Sequence, residues 1–368
     1  MSQQQLYVAG IGMITSIGVN ANTTAAALNA GISGYKLSNY IAKSGKSIIM
    51  ANVPDEVFYS MDVEIQRNSS YRKQYDYMIK MALLALQDTL TDLIEPESIQ
   101  KPLPLLLAMP ETNPKIDQIP PKLLESNLTR LCGTIIDPQK IHRMHYGRAA
   151  GLQLLELANR YLYELNEDYV IVGGSDSHRN ILRINHLEEQ QRLLFEGQSD
   201  GFAAGEAAGF LLLTRHAQYA LTENGHIIAL HPVGISDEPG YWGSEEPYRG
   251  EGLDRAFKAA LSDYQGNKID TLYSSMNGES FWSKEQGVAI SRNKSFFSDH
   301  FTVEHPADCF GDIGAAMGCT LLGLSALSLL NSQHQAHLVY SSSDKEKRAA
   351  VMVEKINRAH ALTKSEAH

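Results

Sequence analysis

The sequence predicts an α/β fold with mostly parallel or mixed sheets, on three observations. Short apolar runs of strand length alternate with longer segments of helical period, the apolar positions in those segments repeat as one helix face, and the pattern restarts near Thr222. A chain of 368 residues with 43% apolar and 20% charged side chains has the composition of a folded protein with a sizeable core.

The first strand runs from Leu6 to Ala9 and ends in Gly10-Ile11-Gly12-Met13, a glycine pair read as a packing turn. Asn20, Asn22 and Thr23 precede the helical segment Thr24 to Ala30 as caps. Tyr71 to Leu90 puts Tyr75, Met78, Ile79, Ala82, Leu83 and Leu86 on one helix face. Pro102 to Met109 is a continuous apolar run between prolines and predicts a strand buried on both faces. Ala149 to Leu165 carries two adjacent apolar rows, Leu152-Leu155-Ala158-Leu162 and Leu154-Leu157-Tyr161-Leu165, the mark of a helix buried nearly all round. Asn166 to Asp168 breaks it. A strand over Tyr169 to Val172, a sharp turn at Gly173-Gly174-Ser175-Asp176, a small-residue block from Asp200 to Gly209 and a strand over Phe210 to Leu213 follow.

The second run repeats this order with the strand Ile227 to Leu230, the helix Gly252 to Tyr264 and the strand Thr271 to Ser274. A buried helix, Gly311 to Leu330, and the strands Ala336 to Tyr340 and Ala349 to Val353 complete it. The expectation is two pseudo-symmetric halves, 1–221 and 222–368, in one compact unit.

Thirty-two Lys and Arg against 42 Asp and Glu give a net charge of −10, with no basic run, so a phosphate backbone is an unfavourable partner. No stretch reaches the roughly 18 apolar residues of a membrane span, and the polar start, Met1 to Leu6, reads as neither signal nor transit peptide. Cys132, Cys309 and Cys319 are odd in number and form no CxxC pair, which argues against a disulfide framework or structural zinc and for a reducing cytoplasm. The Gly10-Gly12 pair lacks the third glycine of a dinucleotide fingerprint, and neither cofactor nor metal is expected.

Four segments together resemble the thiolase-like superfamily, specifically the β-ketoacyl-acyl-carrier-protein synthases. They are Val8 to Gly18, Asp168 to Asp176 with its double glycine, Asp200 to Leu213, and Gly311-Asp312-Ile313-Gly314-Ala315-Ala316, in the family's order over nearly the whole chain. The resemblance implies two βαβαβ-type halves in a five-layer α-β-α-β-α sandwich that dimerises across a strand of the first half. It also implies a cysteine nucleophile at a helix N-terminus, two imidazoles (or one with an asparagine), a lysine and a glycine-rich oxyanion loop.

Counted from those segments, the nucleophile position falls on Arg148, the imidazole positions on Asn277 and Asp312, and the lysine position near Ala307. The loop reads Ser341-Ser342-Ser343-Asp344-Lys345-Glu346-Lys347, with no glycine. A guanidinium cannot attack a thioester, so the expectation is a protein without condensing activity and with no catalytic residue at these positions.

A cation at a helix N-terminus is disfavoured by the dipole and needs an anionic partner, for which Asp312 is the natural choice. Arg148, Asn277, Glu279 and Asp312 read either as a retained ligand site or as an internal ion pair plugging an abandoned cavity. The need of any buried charge for a partner favours the plug. His305 and Cys309 form a conceivable new nucleophile pair, against which stands the tendency of a free cysteine to be a small core residue. His142, His145 and Tyr146 read as surface or hydrogen-bonding residues, Glu188, Glu189 and Arg192 as a solvated helix face, Asp176 as a cap on local amides, and Tyr241-Trp242 as an exposed aromatic loop.

Gly147 to Leu152, Asn277-Gly278-Glu279 and His305 to Asp312 further resemble a branch of synthase-like proteins encoded beside type VI secretion effector modules in bacteria. That implies an accessory or adaptor role with an effector or spike protein as partner. Two rivals stand beside it. One is an inactive chain-length-factor-like subunit that pairs with an active synthase and its acyl carrier protein through the strand near Pro102 to Met109. The other is an acyltransferase rearranged around Cys309. Homodimer and heterodimer are both open.

Overall fold

Five strands in each half of the molecule are laid down in the same order and with the same directions. The computed structural model describes residues 5–67, 73–91, 99–113, 115–116, 118–198 and 200–365; the predicted helix start at Tyr71 and the polar residues 1–4 lie outside them. The first half runs β1 (Leu6–Ile14), α1 (Ala21–Asn29), β2 (Lys36–Ile41), β3 (Ser47–Ala51), α2 (Tyr75–Thr91), β4 (Leu103–Ala108), α3 (Pro121–Leu131), β5 (Ile136–Met144), α4 (Ala150–Tyr163), β6 (Tyr169–Ser177), α5 (Ile181–Glu189) and β7 (Ala204–Thr214). The second runs β8 (His226–Leu230), β9 (Gly234–Asp237), α6 (Glu251–Leu261), β10 (Ile269–Ser274), α7 (Phe281–Arg292), β11 (Phe297–Glu304), α8 (Ala307–Phe310), α9 (Met317–Leu330), β12 (Ala336–Ser342), β13 (Lys347–Asn357) and α10 (Arg358–Ser365).

The main sheet path is β11-β10-β12-β13-β8-β1-β7-β6-β4-β5. In the first half β4 is parallel to β5 and β6, while β7 is antiparallel to β6 and β1. In the second half β10 is parallel to β11 and β12, while β13 is antiparallel to β12 and β8. The two halves join where Leu6 and Tyr7 of β1 meet Leu230 and Ala229 of β8.

Because side chains alternate across a strand, each half-sheet feeds two cores. Leu105 and Leu107 of β4, with Phe210 and Leu212 of β7, pack outward under α2 and α3. Leu106 and Ala108, with Leu211 and Leu213, point inward to α4 and α9. In the second half Leu338, Tyr340 and Met352 face α6 and α7, while Val339, Val351 and Val353 join the same inner core. The result is five layers with α4 and α9 in the middle, the α/β sandwich expected from the resemblance.

Several local expectations change. The strand β1 does not stop at Ala9 but runs through both glycines, because α2 lies against it. A Cβ on Gly10 would stand 2.1 Å from the Thr89 carbonyl oxygen, and one on Gly12 2.0 Å from that of Ala85. Gly173 and Gly174 are likewise inside β6, where a Cβ on Gly173 would meet the Phe210 ring at 2.1 Å. The block Ala204 to Gly209 is strand and not loop. Asn20 is the cap of α1, accepting from the Thr23 amide at 2.8 Å in a capping box, so the helix begins before Thr24.

The segment Pro102 to Met109 is a strand buried on both faces, yet it is interior, bonded to β5 on one side and β6 on the other. It therefore offers no edge to a partner; the free edge of the first half is β5. That strand, Ile136–Met144, escaped the sequence because its polar residues and Pro138 hide the period of two.

Glu206 of β7 is fully buried, where Oε1 accepts from the Val53 amide at 3.0 Å and Oε2 from the Ser177 hydroxyl at 2.7 Å. Its nearest cation, Arg179 at 3.8 Å, is engaged with Asp55 at 2.6 Å. Burial therefore pushes the carboxyl up to about 7. The folded state holds the proton more tightly than the unfolded one, so this group's contribution is full below its ordinary value of 4.5 and is lost as pH rises to about 7. Glu206→Gln is expected to remove a loss on the order of 3 kcal/mol; urea midpoints at about pH 5 and about pH 8 should show the variant gaining on the parent. Gly12→Ala is expected to cost about 3 kcal/mol or more in the same denaturation measurement, since backbone and not a side-chain tip fills the space.

Candidate functional site

Arg148 stands in the short turn Gly147–Ala149 that leads into α4. Gly147, at φ +52°, turns the chain from β5 into the molecule. At the matching place in the second half, the turn Gly314–Ala316 leads into α9. The two helices start almost in contact: a Cβ on Gly151 would lie 2.9 Å from the Cys319 amide nitrogen, and one on Gly318 3.0 Å from that of Leu152. This close crossing brings Arg148 to Asp312.

The guanidinium is buried and engaged on all sides. Nε donates to the Ser342 carbonyl at 2.9 Å, Nη1 to Asp312 Oδ2 at 2.5 Å and Nη2 to Asp344 Oδ1 at 2.7 Å. Its carbon lies 4.6 Å from the centre of the Trp282 ring. The Asn277 amide donates to Asp312 Oδ2 at 2.8 Å and to Glu279 Oε2 at 3.0 Å, and the Trp282 indole N–H donates to the same Glu279 oxygen at 3.0 Å. Arg192 grips Glu279 through Nε at 2.7 Å and Nη2 at 2.8 Å, and reaches Asp344 through Nη1 at 2.7 Å. A third buried guanidinium, Arg348, donates to Glu285 at 2.7 Å and lies on Trp282 at 5.6 Å.

Burial works against each of these charges, and the alternation of sign overcomes it. Arg148, with the Asn277 amide, holds the Asp312 carboxyl well below the usual range despite its burial. Arg192 and Arg148 do the same for Asp344. Asp312 and Asp344 raise Arg148 in turn, and Asp344 and Glu279 raise Arg192. Glu111, on the loop after β4, is the exception: burial and the neighbouring Asp344 carboxylate push it up to about 7, against the pull of Arg148.

The sequence grouped six residues, and the structure brings four of them together: Arg148, Asn277, Glu279 and Asp312. His305 precedes α8 and Cys309 lies within it, and no hydrogen bond or ion pair among the described residues joins either to the four. The Cys309 thiol is pushed up by burial, Asp308 and Glu304, the reverse of an activated nucleophile. Burial also pushes Cys132 to about 11 and Cys319 to about 12. Ala307 is core, its carbonyl accepting from the Tyr35 hydroxyl at 2.8 Å.

Two members of the network were misread in the sequence. Arg192 is not on a solvated face but is a buried hub, and Trp242, expected in an exposed loop, lies 4.6 Å from its guanidinium. Asp344 sits in the loop between β12 and β13, where a serine- and lysine-rich context reads as solvent-facing. Asp176 does cap amides, those of Ser177 at 2.8 Å and Ala315 at 2.9 Å, and also pairs with Arg183 at 2.7 Å. His142 bonds the Tyr161 hydroxyl at 2.6 Å, and His145 faces the Pro110 carbonyl at 3.3 Å.

No family model matches the chain. Among solved structures it is similar to the ishigamide ketosynthase/chain length factor, at TM-score 0.76 and 14% identity over 96% of this chain and 99% of that one. It is also similar to the ketosynthase ApeO in complex with its chain length factor ApeC from Xenorhabdus doucetiae, at 0.73 and 15% over 95% and 98%. A third, the AntDE:AntF complex of a type II polyketide ketosynthase with its acyl-carrier protein, aligns at 0.72 and 15% over 96% and 100%. The fold is therefore that of ketosynthases and chain length factors, and no helix among the described residues is long and apolar enough to cross a membrane.

Removing Arg148 leaves Asp312 and Asp344 facing each other without their shared cation. Arg148→Met is expected to cost about 3–5 kcal/mol in urea denaturation, and Arg148→Met with Asp312→Asn less than the sum of the two single changes, because the second change removes the orphaned charge.

Proposed function

We propose that this protein is a non-condensing subunit of the ketosynthase fold that acts by pairing with another protein, in the manner of a chain length factor beside its ketosynthase. The observation that carries this reading is the Arg148 guanidinium, which fills the position of the nucleophile in the resemblance and spends its donors on Ser342, Asp312 and Asp344. An always-protonated group cannot take up an acyl chain. Asn277 and Asp312, at the imidazole positions, are bonded to each other and to charged neighbours, so neither is free to hold a developing enolate.

The neighbours' names supply the kind of partner, since two of them are complexes with a chain length factor or an acyl-carrier protein. The surface that suits such pairing is β5, whose outer edge is unpaired and can accept an added strand from a second copy or a sister subunit. A rearranged acyltransferase built on Cys309 is disfavoured by the raised thiol. An adaptor role beside type VI secretion effectors rests on sequence resemblance alone and becomes an outcome of the same experiment.

Capture of the tagged chain from its native host, with mass spectrometry of what co-purifies, tests the proposal. The expected result is a stoichiometric complex with a ketosynthase, together with no mass increase on this chain after incubation with acyl thioesters. Acylation of this chain, or condensation of malonyl and acyl units by this chain alone, overturns it. Recovery of an effector or spike protein in place of a synthase replaces the partner.

A further inference from the structure

A cleft of about 390 Å³ opens above the Arg148 network, between the loop after β4, helix α5 and the loop that carries Asp344 and Lys345. Its walls hold five cationic side chains, Lys115, Arg148, Arg183, Arg192 and Lys345, against four carboxyls, Glu111, Asp176, Asp312 and Asp344. The carboxyls on the floor are spoken for. Asp312 and Asp344 are held by Arg148 and Arg192, and Asp176 by Arg183. The fourth, Glu111, is pushed up to about 7 and so carries only part of a charge near neutrality. At the rim the Lys345 ammonium donates to a backbone carbonyl, that of Thr112 at 3.0 Å, and no ion pair among the described residues engages Lys115 or Lys345. His186 adds a ring nitrogen, 3.2 Å from the Asn113 amide.

A second observation points to an occupant. His178 lines the same cleft at 4% exposure, its Nδ1 has no hydrogen-bond partner, and its Nε2 has Asp312 Oδ1 3.5 Å away, too long for a good bond. Burial and the nearby Arg183 disfavour the charged form of the ring. A polar group this buried ordinarily has a partner, and a small shift of the ring toward the cleft would give it one in a ligand or in a water carried with it. Phe202, Leu187 and Trp242 supply apolar wall for a short carbon skeleton.

We infer that this cleft binds a small organic anion, one with a carboxylate or phosphate head placed at the rim between Lys345, Lys115 and His186 and a short body reaching toward His178 and Phe202. The arginines of the floor are neutralised by Asp176, Glu279, Asp312 and Asp344, so the positive charge left to attract an anion is that of the Lys115 and Lys345 rim, beside low-dielectric protein. This inference is independent of the partner reading, because it concerns a site on this chain alone.

Calorimetric titration of the full chain at low ionic strength with succinate, and separately with inorganic phosphate, tests it. Saturable one-to-one binding of either is expected, and which of the two binds names the head group. Lys345→Glu is expected to weaken binding about tenfold and Lys115→Glu with Lys345→Glu to abolish it. Both positions are exposed, so the fold is kept. Lys294→Glu, the same charge change at an exposed position outside the cleft, should leave affinity within about twofold. No heat with either anion up to about 10 mM, where sites of this charge are readily occupied, or an equal loss in Lys294→Glu and Lys345→Glu, overturns the inference.

Discussion

Charge that is buried must be neutralised where it lies, and the centre of this molecule is organised by that requirement. Three guanidiniums, Arg148, Arg192 and Arg348, alternate with Asp312, Asp344, Glu279 and Glu285 around the Trp282 ring. Arg148 and Arg192 come from the first half of the chain, and all four carboxylates come from the second. The network therefore reads as a clamp between halves whose sheets meet at Leu6 and Tyr7 against β8 and which are bridged again where Ala204 pairs with Asp312. Such a clamp adds little net stability over a well-packed apolar equivalent, yet opening it at any one member is costly, so its contribution is to the uniqueness of the arrangement.

The same interaction sets what the site can do. A nucleophile at the start of a buried helix works because the helix end favours an anion. Here that helix end holds a cation, which is tolerable only with two carboxylates against it, and those carboxylates in turn occupy the space and the hydrogen-bonding capacity a reacting group would need. With Arg148 in place, the positions of Asp312 and Asp344 follow from electrostatics, since a buried cation holds opposite charges beside it. What is left above the network is a polar cleft with a cationic rim.

Much of the architecture was legible from short stretches. The continuous apolar run at Leu103–Ala108 announced a strand buried on both faces, because it lies between two cores, and the double apolar rows after Ala149 announced α4, because that helix is enclosed in the inner core. Edge strands β5 and β11 were illegible for the opposite reason: one edge meets solvent, and charged residues interrupt their period. Glycines misled, since Gly10, Gly12, Gly173 and Gly174 looked like turns and are instead places where a helix, a ring or a neighbouring backbone presses on a strand.

Within the site, the sequence by itself determined that a guanidinium at the start of a buried helix needs an acidic partner, which follows from residue chemistry and position along the chain. Only the tertiary structure decided that Arg192 and Asp344 complete the network and that His305 and Cys309 stand apart from it. Arg192 and Asp344 lie 152 residues apart, and a charged residue has the same local signature whether it faces water or a partner from another layer. Which of the two it does is set by the crossing of α4 and α9 and the folding of the β12–β13 loop over α5, and no single segment carries that information.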